Sequence, residues 1–204
     1  MAPLSDVCFM PESPRYLPSL TRWQPMALSG VYLEDPLRAL MDSRDSLTAR
    51  LARLAGAPIT VRLHAQGPGR ARHDELVALN LPAGQRVWRR EVTLEAGGEV
   101  LIAARSVMNL KGCPPWMARL GTRALGHQLF ARSARAPQKA LVKRSGLEMT
   151  RAEPGFLSLP VAWGRRSLFT LGPDRPPLLV QEYFVHERFA TRRRADGSTR
   201  HHFG

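Results

Sequence analysis

Two stretches of this chain alternate apolar and polar side chains around short glycine- or proline-bearing turns, and nothing else in it constrains the fold as much. Residues 87–94, the turn Glu95-Ala96-Gly97-Gly98-Glu99 and residues 100–108 predict one long hairpin. Residues 161–171, the turn Gly172-Pro173-Asp174-Arg175-Pro176 and residues 178–185 predict a second. Turns this short join antiparallel neighbours, since a parallel pair needs a crossover of about a dozen residues or more. Ile59-Thr60-Val61-Arg62-Leu63 reads as a further strand, and residues 140–143 as a short one. Residues 66–72, rich in Gly and Pro, read as a loop.

Helical signals bunch in two places. Pro36 suits a first helical position, Leu37, Leu40 and Met41 recur on one face, and Asp45 or Ser46 can cap a second helix through Leu47, Leu51 and Leu54 that stops at Gly56. Residues 74–79 predict a short helix, and residues 116–120 and 122–130 two segments broken at Gly121. Hairpins with helices gathered between them predict a single α+β domain on an antiparallel sheet, over residues 31–189. Before it, residues 1–30 carry Pro3, Pro11, Pro14, Pro18 and Pro25, which predicts an extended arm with Trp23 as its pin. After it, residues 190–204 open on Thr191-Arg192-Arg193-Arg194 and predict a basic, disordered tail.

Composition narrows the function classes. A chain of 204 residues buries enough surface to need neither metal nor disulfide, and Cys8 and Cys113 fit no metal-ligand spacing. The net charge of +13 invites a polyanion partner, but 27 of the 30 basic residues are arginines scattered along the chain, so attraction of small anions is expected rather than nucleic-acid binding. No apolar run reaches the roughly 18 residues of a membrane span, and the first ten residues lack the basic start of a secretory signal. A cytoplasmic monomer is expected.

Standard catalytic signatures are missing. Gly67-Pro68-Gly69 is only a fragment of a dinucleotide motif, and His201-His202 has no further ligands, so no cofactor and no metal are expected. The informative feature is one charge on each of two apolar strand faces. Trp88, Arg90, Val92 and Leu94 share a face, as do Leu178, Val180, Glu182 and Phe184. A buried charge is costly unless it is paired. Either Arg90 forms a structural ion pair with Glu91, Glu99 or Glu182, or Arg90 and Glu182 stand apart in one pocket, the guanidinium gripping a ligand carboxylate and the glutamate accepting from a ligand hydroxyl. Arg165 and Arg166 open the second hairpin, and alternation sends one of them inward. His127 lies in a predicted helix and reads as a surface histidine.

The segments Trp88-Arg89-Arg90-Glu91-Val92, Gly98-Glu99, Ala104-Arg105-Ser106-Val107, Leu120-Gly121, Leu125-Gly126-His127-Gln128-Leu129-Phe130, Trp163-Gly164-Arg165-Arg166-Ser167 and Pro177-Leu178-Leu179-Val180-Gln181-Glu182-Tyr183-Phe184 follow in an order that resembles the chorismate pyruvate-lyase family. The resemblance implies a sheet of about six antiparallel strands with helical flaps over an enclosed ligand, and cofactor-free conversion of chorismate to 4-hydroxybenzoate and pyruvate, the start of ubiquinone synthesis. It implies that Arg90 binds the ring carboxylate and Glu182 the ring hydroxyl. Leu125 matches a flap residue of the pocket. Ser46-Leu47-Thr48 is similar to a Ser-Met-Thr of the family, so Leu47 is expected to line the pocket, a swap that conserves volume. The second substrate carboxylate is expected to meet Arg165 or Arg166. Two alternatives stay open: a ligand-sensing domain of the same fold without catalysis, and a related enzyme releasing a different aromatic product.

Overall fold

The computed structural model describes residues 23–28, 32, 33, 35–43, 45–130, 143–152, 157, 162–185, 188, 189, 192, 193, 199 and 200. Its frame is a seven-stranded antiparallel sheet with strands in the order β1-β5-β6-β7-β4-β3-β2. The strands are β1 (Gln24–Pro25), β2 (Thr60–Arg70), β3 (Arg86–Ala96), β4 (Glu99–Asn109), β5 (Lys143–Ala152), β6 (Ala162–Thr170) and β7 (Leu178–Phe184). Six are full strands, and the seventh is the two-residue Gln24–Pro25, which pairs with Met149 and Glu148 of β5.

Both predicted hairpins form. Gly97 and Gly98, at φ 57° and 85°, make the two-residue turn of the first, a backbone shape that glycine adopts without a Cβ clash. Two strands run longer than the sequence reading. β2 continues through Gly67-Pro68-Gly69, which were read as loop; it is the edge strand, where a proline forfeits no ladder hydrogen bond. β5 spans Lys143–Ala152 rather than ending at Lys143, and a register shift between Ser145 and Glu148 interrupts the alternation that would have announced it.

The helices are α1 (Leu37–Asp42), α2 (Leu47–Ala55), α3 (His73–Ala78), α4 (Pro115–Ala118) and α5 (Leu125–Phe130). Ser46, not Asp45, caps α2 by accepting from the Ala49 N–H at 3.4 Å, and Gly56 ends it in the left-handed conformation at φ 61°. In the stretch expected as a tail, Arg192–Arg193 pairs antiparallel with Thr199–Arg200. No helix among the described residues is long and apolar enough to cross a membrane.

One face of the sheet carries two apolar clusters. Val92, Leu94, Ile102, Met149, Trp163 and Phe184 pack under α1 and α2. Trp88, Met108, Phe169, Leu178 and Val180 pack under Met117 and Leu129 of the α4–α5 region. On the other face, buried Glu75 of α3 takes Arg105 Nε at 2.6 Å and Nη2 at 3.0 Å. Arg105 Nη1 also donates to Glu91, Gln181 donates to Glu75, and the Tyr183 hydroxyl donates to Gln181. Burial works against the Glu75 carboxylate, but the Arg105 guanidinium outweighs it and holds the group below its ordinary pKa of 4.5. Burial pushes the Tyr183 phenol up to about 12.

Trp23 packs on this second face; residues 1–22 of the stretch expected as an arm lie outside the described residues. Its indole donates to Asp74 at 2.9 Å, and Arg166 stacks 4.8 Å over its ring. Gly164 leaves it room, since a Cβ there would come within 3.1 Å of the ring.

Candidate functional site

Between the two apolar clusters the sheet is hollow, because its central strand turns small there. Along the inner face of β4 the side chains run Ile102, Ala104, Ser106, Met108, so two small residues sit between two large ones. Across the ladder, Arg90 pairs with Ser106 and Ser106 with Val180, while Val92 pairs with Ala104, Ala104 with Glu182 and Glu182 with Arg165. These two rows floor a cavity with about 640 Å³ of empty space, counting its mouth. Leu47 and Thr48 of α2 and Ala124, Leu125, Gly126 and Leu129 around α5 roof it.

Arg90 is 2% exposed, and no carboxylate pairs with it among the described residues. Glu91 pairs with Arg89 and Arg105 on the opposite face, Glu99 with Arg188, and Glu182 with Arg165. Backbone carbonyls hold the Arg90 guanidinium instead. Nε and Nη2 donate to Gly121 at 3.3 and 2.9 Å, and Nη2 also to Arg123 at 2.9 Å. Carbonyl dipoles do not neutralise it, and burial pushes its pKa down from 12.5 to about 10. Gln66 of β2, opposite Arg90, clasps the same loop by donating to the Ala118 carbonyl at 2.7 Å and accepting from the Gly121 N–H at 3.1 Å.

Glu182 is the carboxylate in the hollow, two strands and one row away. Strand spacing puts its Cα roughly 12 Å from that of Arg90. Its Oε2 accepts from Arg165 Nε at 2.6 Å, and no described residue donates to Oε1. Arg165 Nη1 reaches the carbonyls of Leu40, Met41 and Ser43 and the Ser43 hydroxyl at 2.6 to 3.1 Å, which satisfies backbone left open at the end of α1. The lining holds two guanidiniums, Arg90 and Arg165, and two carboxylates, Glu182 and Asp45, of which Asp45 is turned to Arg50 at 2.5 Å.

The cavity thus brings together Arg90, Glu182, Leu47, Leu125 and Arg165. Arg166 is a correction. It lies on the opposite face, paired with Glu148 at 2.6 Å and Asp74 at 3.4 Å, because adjacent strand residues point to opposite sides. The sequence reading did not single out Ala104, Ser106 or Thr48. The signal for the first two was present, a pair of small residues on a strand face otherwise filled by large ones. Among the described residues no cluster of His, Cys, Asp or Glu could hold a metal ion.

The arrangement suits a small, flat anion with a carboxylate at one end and a hydroxyl at the other. Comparison with known proteins bears on which one. The family model described as chorismate lyase matches residues 21–195. A probable chorismate pyruvate-lyase of Chromohalobacter salexigens is 39% identical over 178 residues, covering 85% of this chain and 93% of the relative. Another from Methylococcus capsulatus is 39% identical over 154 residues, covering 70% of this chain and 90% of that one. Among solved structures, the C-terminal domain of the histidine utilization repressor of Pseudomonas syringae aligns with a TM-score of 0.45 at 16% identity, over 67% of this chain and 97% of that one.

Proposed function

The chain belongs to the chorismate lyase family, and from that premise we propose that it converts chorismate to 4-hydroxybenzoate and pyruvate, without metal or cofactor, as a cytoplasmic monomer at the entry to ubiquinone synthesis. One observation carries the reading: a buried guanidinium without an acidic partner among the described residues faces a cavity in which Glu182 offers an uncommitted carboxylate oxygen.

Chorismate is a cyclohexadiene carrying a ring carboxylate, a hydroxyl and an enolpyruvyl ether. In the reaction the ring carbon–oxygen bond of the ether breaks and its electron pair leaves with the enol oxygen. The hydrogen on the hydroxyl-bearing carbon departs as a proton, its electrons complete the aromatic ring, and the proton ends on the methylene carbon of the enol to give pyruvate. Aromatisation supplies the driving force, so the protein's task is to hold one conformer in a dry, charged site. Arg90 would anchor the ring carboxylate. Glu182 Oε1 would accept the ring hydroxyl, which favours electron release from the carbon that carries it. Arg165, whose Nη2 has no partner among the described residues, would face the carboxylate of the departing enol. Leu47, Leu125 and Leu129 would exclude water, which strengthens each of these electrostatic contacts.

The test is chromatography of purified protein incubated with chorismate. Equal amounts of 4-hydroxybenzoate and pyruvate are expected. Tight binding of chorismate without turnover would identify a sensor domain instead, and a different aromatic acid would identify a related activity. Glu182→Gln keeps an acceptor for Arg165 but loses the charge, so it should fold and lose most of kcat.

A further inference from the structure

We infer that Ser106 is a second donor to the ligand carboxylate that Arg90 grips, and that it sets the preference of the site for a carboxylate over a neutral group. The inference rests on the reading of the cavity as a chorismate site.

Arg90 is not free to grip a carboxylate with a full fork. A guanidinium has five N–H donors, and two parallel bonds to one carboxylate use two of its nitrogens. Here Nε and Nη2 are tied to the carbonyls of Gly121 and Arg123, so that among the described residues Nη1 alone has no partner. One nitrogen serves one carboxylate oxygen well. The other oxygen, entering a cavity lined largely by apolar groups, needs a donor of its own, because an unmet buried anion oxygen is costly.

Ser106 stands where that donor is required. It is the direct ladder partner of Arg90, so its side chain rises from the same face about 5 Å away. It is 3% exposed, it lines the cavity, and its hydroxyl makes no hydrogen bond with any described residue. A hydroxyl that opens onto a cavity floor, with no partner among the described residues, suits a ligand that supplies one. The other polar lining groups sit elsewhere. Arg165 lies three strands from Arg90 and is engaged with Glu182 and the end of α1, Thr48 belongs to the roof, and Asp45, an acceptor only, pairs with Arg50. Ser106 also lies on the path between Arg90 and Glu182, next to Ala104, so a ring spanning the two charges passes over it.

The experiment compares the full chain with Ser106→Ala and Ser106→Thr. It measures kcat and KM for chorismate, and the dissociation constants of 4-hydroxybenzoate and of 4-hydroxybenzyl alcohol, which keeps the ring and hydroxyl but has no carboxylate. Loss of one hydroxyl donor to a charged acceptor should weaken 4-hydroxybenzoate about tenfold and raise KM similarly, with kcat within about threefold. The alcohol should bind within about twofold of the unaltered protein, and Ser106→Thr should restore most of the acid's affinity. If Ser106→Ala binds 4-hydroxybenzoate as the unaltered chain does, or weakens acid and alcohol equally, Ser106 is a packing residue and the inference is wrong. If the unaltered chain neither turns over chorismate nor binds 4-hydroxybenzoate, the parent reading fails and takes this inference with it.

Discussion

Arg90 is held at a cost that no carboxylate among the described residues offsets. Its pKa of about 10 lies below the ordinary 12.5, so the fold disfavours the charged form at every pH below about 10 and is relieved above it. A bound anion gives the same relief at neutral pH. Arg90→Met, which keeps the stem and removes the charge, should therefore leave the melting temperature unchanged or raise it while activity falls by about two orders of magnitude or more. Calorimetry beside the lyase assay reads both; a large drop in stability would mark Arg90 as structural. Ala104 supports a second prediction from the same floor. Ala104→Leu projects into the hollow beside Glu182 and should abolish ligand binding at a stability cost of about 1–3 kcal/mol, measured by calorimetry and titration with 4-hydroxybenzoate.

Strands β3 and β4 are held from the face away from the site as well as by the apolar clusters beside it. β3 and β4 expose Arg90 and Ser106 on one side, and on the other they send Glu91 and Arg105 into a buried network that ties α3 to the sheet. Arg105→Met leaves Glu75 buried without its cation and Glu91 with Arg89 alone, and should destabilise the fold by about 3–5 kcal/mol, measured by denaturant unfolding. Acid should act on the same network. The Glu75 carboxylate is depressed, so its contribution is present above the ordinary value of 4.5 and is lost as pH falls through its lower folded value. Glu75→Gln should accordingly lose less melting temperature than the unaltered chain as pH falls from about 7 to below the ordinary value of 4.5. At this level the hairpins were readable from alternation alone. The lengths of β2 and β5 were not, because an edge strand tolerates Gly-Pro-Gly and a register shift breaks the period of two.

In the assembled domain the sheet separates two chemistries, an anion-accepting hollow under α2 and α5 and a self-satisfied polar network under α3 and Trp23. Binding should couple to the stability of the whole. At a 4-hydroxybenzoate concentration about a hundredfold over its dissociation constant, the folded state gains about 2.7 kcal/mol, a rise of roughly 5–10 °C in melting temperature for a chain of this size. Arg90→Met should show almost none of that rise, and an equal shift in both proteins would place the bound acid somewhere other than this cavity.

Local pattern was enough to announce an α+β domain, both hairpins, a cap at Asp45 or Ser46, the inward faces of Arg90 and Glu182 and the ordered segments of a lyase family. Alternation and capping are short-range steric and hydrogen-bonding effects, and they are written in neighbouring residues. Which charge meets which was settled by strand register, across the second hairpin for Glu182 and Arg165. β7 lies between β4 and β6, so Glu182 finds Arg165 rather than Arg90, and one residue of parity sends Arg166 to the far side. The hollow itself comes from the same pairing, which sets Ala104 and Ser106 between Arg90 and Glu182. Partners that close through loops of tens of residues leave no mark in the residues beside them.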